Sequence, residues 1–198
     1  SKIHFTFQEY FRRMNSDPSR WSQPFAALLG AYGAQLGLGL GSIGGKDSMS
    51  GTFDTEEGEI NVPPTLVSFA VDVDSSRHII TPEFKKPGSR IVEFRIARDR
   101  YDLPDYARVM EGYTKLREDI LAGRIISAYA VEGNGLAEAV SKMAFGNKLG
   151  VKIEHNVDPR DFFGAGWGNI VCEVAEGRTG ELSIPYTVIG EVTDSGVF

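Results

Sequence analysis

The segment SIGGKDSMSG, residues 42–51, combines the residue types that hold a phosphate group. Backbone N–H groups around Gly44 and Gly45 would form an anion-binding concavity if the segment is a loop. Lys46 would add a positive charge to this concavity, and Ser48 would add a hydroxyl donor. An ordinary surface turn explains the same composition, so the segment alone leaves both interpretations open.

The segment does not match the P-loop of ATPases. That motif requires a glycine five positions before the Gly-Lys pair and a serine or threonine directly after the lysine. Leu40 and Asp47 occupy these two positions. A carboxylate such as Asp47 is more natural beside a metal ion or a ligand hydroxyl than beside a bare phosphate, which excludes a P-loop ATPase.

A second glycine-rich turn, VEGNG at residues 131–135, precedes a predicted helix. The start of a helix presents free N–H groups and the positive end of the helix dipole, which attract anions. Asn134 is in a position to cap this helix. Turns of this kind are also common between strands and helices in proteins without ligands, so the pattern is weak evidence for a site.

Nucleophilic and metal chemistry have little support in the sequence. The single cysteine, Cys172, lies in the apolar run NIVCEVA, where a buried structural thiol is expected. His4, His78 and His155 are scattered and have no spacing typical of metal ligands. We therefore predict no catalytic residue and no metal ligand in the chain.

The composition limits the partners. A net charge of −6 argues against a nucleic-acid partner, because such proteins carry a clustered excess of lysine and arginine. No apolar run approaches the roughly 18 residues needed to cross a membrane. The first residues are polar and do not resemble a signal peptide. These features predict a cytoplasmic protein.

The first half of the chain is predicted to hold two helices and two strands. Apolar spacing predicts a short helix at 5–14 and a second at 24–36. The glycine-rich stretch from residue 37 is predicted to begin as a short strand and to continue as a loop. Residues 52–64 are acidic and predicted to be a loop, and residues 65–73 alternate as a strand does.

The second half alternates strands and helices. We predict strands at 90–97 and 125–130 and helices at 104–122 and 135–146. Three later runs, GVKIE, IVCEVA and YTVIGEV, are predicted strands. Because several strands are adjacent in the chain, an α+β fold is favoured over a doubly wound sheet. A segment rich in proline, lysine and glycine marks a domain boundary near residues 80–89.

Several segments together resemble one family, phosphoribosylformylglycinamidine synthase of the large multidomain type. The resemblance covers nearly the whole chain and is carried by FQEYF, DPSRWSQPFAALLGAYGAQLGLGLGSIGGKDSMSGTF, VPPTLVSFAV, ITPEFKKPGS and SAYAVEGNGLAEAVSKMAFGN. It implies a fragment from the second half of the synthetase core. Residues 1–85 would end an aminoimidazole-ribonucleotide-synthetase-like N-terminal domain, and residues 86–198 would form the matching α+β C-terminal domain.

The resemblance implies an enzyme of purine biosynthesis. The family converts formylglycinamide ribonucleotide, ATP and glutamine to formylglycinamidine ribonucleotide, with ATP and magnesium as cofactors. The remaining synthetase domains and a glutaminase domain would be partners of this segment. No glutaminase motif is present here, so the chain alone is expected to be inactive.

The resemblance implies site residues in one segment, GGKDS at residues 44–48. Shorter members carry GGNVS where this chain has GGKDS, with the second glycine at the nucleotide, the asparagine at magnesium and the serine at the substrate. By that match Ser48 would contact the substrate, and the nucleotide-side residues would be Gly44, Gly45, Lys46 and Asp47. Lys46 replaces the metal-binding asparagine, so an ammonium group is expected to supply the positive charge instead.

The VEGNG turn departs from related large enzymes. They carry an Asp-x-Ser-Asp-Gly-Gly pattern there, whose first aspartate and serine serve an auxiliary nucleotide and magnesium. Ala130 and Glu132 stand at those two positions. A carboxylate would repel a phosphate, so we expect this auxiliary site to be weakened or remodelled.

Two other functions remain open. The segment would be a non-catalytic scaffold of the pseudo-symmetric synthetase core, or part of another ATP-using enzyme of the superfamily, such as a selenophosphate or thiamine-phosphate enzyme. The match at KDSMSGTF argues against the last of these. In isolation, the apolar faces of helices 5–14 and 24–36 are expected to be exposed and to drive formation of a homodimer.

Overall fold

The computed structural model describes residues 3–197. The chain divides into two compact units, one ending at Asp74 and one beginning at Ser75. The segment 75–85 therefore groups with the second unit, where the fully buried Phe84 joins the core. Which domains of a known family these units represent stays a prediction.

The described residues of the first unit, 3–74, contain one α-helix and five strands. Its main sheet has the order β2–β1–β5, with β1 parallel to β2 and antiparallel to β5. Two short strands, β3 and β4, form a separate antiparallel hairpin. The elements are β1 (His4–Tyr10), α1 (Ser22–Leu38), β2 (Ser42–Ser48), β3 (Thr52–Thr55), β4 (Gly58–Asn61) and β5 (Thr65–Val71).

The helix predicted at 5–14 is wrong, because residues 4–10 form the central strand β1. Phe7, Phe11 and Met14 have helical spacing, but they belong to different local structures. Phe7 lies in the strand, whereas Phe11 and Met14 follow it and are buried in the unit. The apparent period of 3.6 residues is therefore a coincidence of two separate apolar contacts.

The predicted helix at 24–36 is confirmed by α1. A 3₁₀ turn, Pro18–Trp21, leads into it, and the carboxylate of Asp17 accepts hydrogen bonds from the N–H and hydroxyl of Ser19 at 2.9 and 2.8 Å. The helix ends at Gly39, whose φ of 65° is left-handed and favours glycine.

Two loop predictions in the first unit are wrong. Residues 42–48 form the edge strand β2, whereas the stretch just before them completes α1. The acidic residues 52–64 contain the β3–β4 hairpin, whose turn ends at Gly58 with a φ of 132°. The strand predicted at 65–73 is confirmed by β5.

The second unit is built on a five-stranded antiparallel sheet with the order β7–β9–β6–β10–β8. The predicted strands and longer helices of this half are confirmed, with ends shifted by a few residues. They are β6 (Arg90–Phe94), α2 (Tyr106–Leu121), β7 (Ile125–Ala130), α3 (Gly135–Phe145), β8 (Gly150–Ile153), β9 (Ile170–Val174) and β10 (Thr187–Thr193), and a short helix, α4 (Pro159–Phe163), lies between β8 and β9.

Both faces of this sheet are covered, which explains why its central strands are apolar in sequence. Along β6, Ile91 packs in a cluster with α3 residues such as Leu136 and Met143. The next residue, Val92, packs on the opposite face in a cluster that includes Leu116 of α2. Successive side chains of a strand point to opposite faces, so two layers of core form around one sheet.

One buried carboxylate anchors the segment before β6. Glu173, on β9, accepts hydrogen bonds from the backbone N–H groups of Lys85 and Lys86 at 2.7 and 3.0 Å and from the hydroxyl of Ser127 at 3.2 Å. These bonds satisfy a charge that would be costly to bury alone.

Among residues 3–197, no helix has the length and apolar character needed to cross a membrane.

Candidate functional site

The segment from Gly44 to Ser48 is extended strand and not a phosphate-binding loop. An anion-binding concavity needs successive N–H groups turned toward one point, whereas the N–H groups of a strand alternate between its two edges. The predicted concavity at Gly44 and Gly45 is therefore wrong. One edge of β2 pairs with β1, with Gly44 opposite Thr6 and Gly45 opposite Phe7.

The strand separates the predicted site residues onto two faces of the sheet. Because the side-chain period of a strand is two, Lys46 and Ser48 point to one face and Asp47 points to the other. In the parallel pairing, Gln8 lies opposite Lys46, and Tyr10 lies opposite Ser48. These four side chains thus share one face, and we call them the open-face cluster.

Gln8 and Tyr10 were missed by sequence reasoning, because their segment was predicted to be a helix. The only available signal was the polar alternation of His4, Thr6 and Gln8 along HFTFQEY. Lys46 is exposed, and its Nζ donates to the backbone oxygen of Asp47 at 3.3 Å. The open-face cluster therefore offers an ammonium, an amide, a phenol and a hydroxyl to a polar ligand.

The opposite face of β1 and β2 lies under α1 and contains two carboxylates. Glu9 is opposite Asp47 in the parallel register, so the two side chains are neighbours on this face. Burial, and then the charge of Asp47, raise the pKa of the Glu9 carboxyl. Within the described part of the chain, neither carboxylate has an ion-pair partner.

Two adjoining cavities lie between α1 and this face. The larger, of about 590 Å³, has an apolar wall that includes Trp21, Phe25 and Met49, with Glu9 and Asp47 also in its lining. The smaller, of about 320 Å³, is also bordered by Gly44, Gly45 and Lys46, at the free edge of β2.

Gly45 is required by a close backbone contact. A Cβ atom at this position would lie 2.6 Å from the carbonyl oxygen of Phe7 on the neighbouring strand. That distance is too short for any side chain without movement of one strand. The glycine therefore keeps β2 close to β1, and this contact holds Lys46 beside Gln8.

The VEGNG turn of the second unit is surrounded by its own charges. The backbone oxygen of Glu132 accepts hydrogen bonds from the N–H groups of Gly135 and Gly166. The Nζ of Lys142 lies 2.6 Å from a carboxylate oxygen of Glu138 and 3.9 Å from one of Glu132. Two carboxylates at the start of α3 disfavour a phosphate there.

The predicted cap of this helix is wrong. Asn134 directly precedes α3, but its side chain accepts no hydrogen bond from the helix N–H groups. Its Nδ2 instead donates to the carboxylate of Glu138 at 3.1 Å. Gly135, with a φ of 72°, provides the left-handed turn that joins the strand to the helix.

Metal and thiol chemistry have no support in the described residues. Residues 3–197 contain no group of three or more His, Cys, Asp or Glu side chains arranged to hold a metal ion. Cys172 is fully buried in β9, as predicted. Burial, and then the charge of Asp119, raise the pKa of its thiol to about 12, which keeps it protonated.

Comparison with solved structures identifies the fold. No family model matches the chain. Thermotoga maritima PurL, solved with ADP, superposes with a TM-score of 0.68 at 13% sequence identity, over 98% of this chain and 34% of that one. The same enzyme solved with FGAR gives a TM-score of 0.64 at 12% identity, over 96% and 35% of the two chains.

A second protein shares the fold. Escherichia coli HypE gives a TM-score of 0.64 at 14% identity, over 97% of this chain and 67% of that one. The chain thus has the α+β fold of the aminoimidazole-ribonucleotide-synthetase-like proteins PurL and HypE. It spans about a third of the length of the PurL chains that it matches.

Proposed function

We propose that the chain is part of an ATP-dependent carbon–nitrogen ligase of the phosphoribosylformylglycinamidine synthase type, acting in cytoplasmic purine biosynthesis. The observation that carries this proposal is the open-face cluster, in which four polar side chains lie side by side on one face of the sheet, two of them exposed and two half-buried. The quoted sequence segments and the shared fold with PurL, which was solved with nucleotides and with FGAR, support it.

In this proposal the cluster forms one wall of a substrate and nucleotide cleft. Ser48 donates a hydrogen bond to formylglycinamide ribonucleotide, and Tyr10 beside it orients the same ligand. Lys46 neutralises nucleotide phosphate, with Gln8 as a neighbouring donor. Gly44 and Gly45 allow the ligand to approach the backbone. The side chain of Asp47 lies on the other face, so this residue contributes only through its backbone.

The residues of the cluster do not fit a magnesium ion. Magnesium prefers carboxylate and water oxygens in octahedral geometry, whereas the cluster has no carboxylate and presents an ammonium at its centre. Glu9 and Asp47 lie on the opposite face. We therefore assign no step to a metal held by these residues.

The contribution of this chain to the reaction is binding and orientation. In the proposed reaction ATP phosphorylates the formamide oxygen, and ammonia then displaces the phosphate. Charge stabilisation and alignment of the two ligands are the main sources of rate in phosphoryl transfer. The remaining synthetase domains and the glutaminase domain are partners in this proposal, and they supply the ammonia and the rest of the cleft.

A second candidate function is a scaffold that binds no nucleotide. The observation that favours it is the pair of carboxylates, Glu132 and Glu138, at the turn where an auxiliary phosphate would lie. A third candidate, another ATP-using enzyme of the superfamily, agrees equally well with the likeness to HypE. The segment KDSMSGTF, residues 46–53, favours the synthase over this third candidate.

The experiment is isothermal titration of the chain with formylglycinamide ribonucleotide and with ATP. We expect Ser48→Ala to weaken binding of the ribonucleotide by about fivefold, the loss of one hydrogen bond of about 1 kcal/mol. The matched control is Ser68→Ala. Ser68 is a strand serine of the same sheet, but it is opposite Phe7 and points to the other face. It is exposed, whereas Ser48 is half-buried.

The outcomes separate the candidates. Weaker binding in Ser48→Ala with unchanged binding in Ser68→Ala supports the proposal. Absence of binding by either ligand to the unmodified chain contradicts it and favours the scaffold. Equal losses in both serine variants also contradict it, because the open face would then have no special role.

A further inference from the structure

The second unit contains a cavity of about 370 Å³ between α2 and the end of β6. Small-molecule sites typically begin at about 300 Å³ and combine apolar walls with a few polar groups. Phe94, Ile96 and Pro185 supply apolar lining here. Three cations, Arg95, Arg108 and Lys115, border the same space.

Three charged residues of helix α2 that line the cavity lie on one face of the helix. Arg108, Glu111 and Lys115 are spaced by three and four residues, so they lie along one helix face. Gly112 lies on the same face, where a Cβ would be 2.5 Å from Cζ of Phe94. This glycine lets the helix approach β6 closely, which brings both helix cations to the wall formed by β6.

The three cations differ in how firmly they are already held. Arg95 is fixed by the carboxylates of Glu93 and Asp161, at 2.7 and 3.0 Å. Lys115 is paired with Glu111 at 2.6 Å, a bond between exposed side chains that exchanges readily. The exposed Arg108 guanidinium forms no hydrogen bond or ion pair with any residue from 3 to 197.

We propose that this cavity binds a small molecule that carries a phosphate group and an apolar portion. Arg108 has its guanidinium donors available to the phosphate oxygens, since they form no hydrogen bond with any residue from 3 to 197. Lys115 turns from Glu111 to the phosphate, and Arg95 adds a fixed charge. The apolar portion lies against Phe94, Ile96 and Pro185. The protein as a whole is acidic, so the site attracts the anion by local charge.

The test uses the full chain and inorganic pyrophosphate at low ionic strength. We expect isothermal titration to detect binding, and amide chemical shifts to change at residues 94–97 and 108–115. Arg108→Ala should weaken this binding by about tenfold, the loss of one charge-assisted hydrogen bond. Glu111→Gln should tighten it by about threefold, because Glu111 no longer competes for Lys115.

Matched controls lie on the same helix. Arg117→Ala and Glu118→Gln change exposed charges of α2 outside the cavity lining and should leave binding unchanged. Lys46→Ala should leave the chemical-shift changes at residues 94–97 and 108–115 in place, which separates this site from the cleft proposed in the first unit. The gain in Glu111→Gln is decisive, because damage to the fold does not produce tighter binding.

Three results of the pyrophosphate experiments would overturn the proposal. They are equal affinity of the unmodified chain and Arg108→Ala, weaker binding in Glu111→Gln, and chemical-shift changes confined to the first unit. Citrate serves as a carboxylate probe of comparable charge. If citrate binds as tightly as pyrophosphate, the cavity has no preference for phosphate, and the assigned ligand class is wrong.

Discussion

Lys46, Asp47 and Ser48 are consecutive, yet their side chains have different surroundings. Lys46 and Ser48 belong to the open-face cluster, whereas Asp47 is beside Glu9 under α1. A shift of the strand register by one residue would exchange these positions. The contact of Gly45 with the backbone of Phe7 constrains this register, so a residue without a side chain determines which charged side chains share a face with Gln8 and Tyr10.

The Glu9–Asp47 pair predicts a pH-dependent stability. The folded state raises the pKa of Glu9, so the protonated form is favoured on folding. Stability from this group is then complete below its ordinary pKa of 4.5 and is lost as the pH rises through the higher folded value. We expect Glu9→Gln to raise the thermal unfolding midpoint at pH 7 and to leave it unchanged near pH 3.

Circular dichroism at the two pH values measures this effect. Glu57→Gln is the control, because Glu57 is exposed in the β3–β4 turn and should give the same midpoint as the unmodified chain at both pH values. A lower midpoint for Glu9→Gln at pH 7 would show that the carboxylate stabilises the fold, contrary to this reasoning.

The elements of the second unit were predictable from the sequence, whereas β1 and the hairpin were not. In α2, buried residues such as Val109, Gly112 and Leu116 are spaced by three and four residues, as on one face of a helix. In HFTFQEYF, by contrast, the apolar spacing of a helix and the alternation of a strand are both present. Pairing with β2 and β5 decides in favour of the strand β1. Local sequence carries no information on partners that are distant in the chain.

The candidate site was predictable only in part, for the same reason. The residue types at 44–48 indicate polar binding whatever the backbone does. The separation of Asp47 from Lys46 follows only once the segment is known to be a strand. The placement of Gln8 beside Lys46 and of Tyr10 beside Ser48 requires, in addition, knowledge of the register between β1 and β2.

Two helix glycines should respond oppositely to alanine. Gly112 of α2 is packed against Phe94, so Gly112→Ala should destabilise the chain by about 1–3 kcal/mol through overpacking. Gly33 of α1 has no atom within 4 Å of its hypothetical Cβ. Gly33→Ala should therefore stabilise the chain by about 0.5–1 kcal/mol, because alanine is the better helix former.

Urea unfolding followed by circular dichroism gives both free energies of unfolding. Each variant is the control for the other, since both replace a glycine by alanine within a helix. Stabilisation by Gly112→Ala would mean that α2 does not approach Phe94 as closely as described.

At the scale of the whole chain, the two units differ in how much apolar surface they leave exposed. Along α1, the exposed side chains include Phe25, Leu29, Tyr32 and Leu36. An apolar helix with no polar face is typical of a buried element. A surface of this kind in water favours association with another apolar surface.

We therefore expect the isolated chain to form a homodimer through α1. Analytical ultracentrifugation should show a dimer whose dissociation constant rises by about tenfold or more in Leu36→Glu, because a charge is then placed in the contact. Leu121→Glu is the control, since Leu121 is an exposed leucine of α2 in the other unit. A monomer at every concentration would contradict the prediction.

The central position of β1 has a consequence for synthesis of the protein. Its two neighbours, β2 and β5, both follow it in the chain, and β5 is complete only at Val71. A ribosome adding about 5–20 residues per second needs roughly 1–5 s to extend the chain from Ser48 to Val71. During that interval one edge of β1 has no strand partner, and the nascent first unit is then most vulnerable to aggregation.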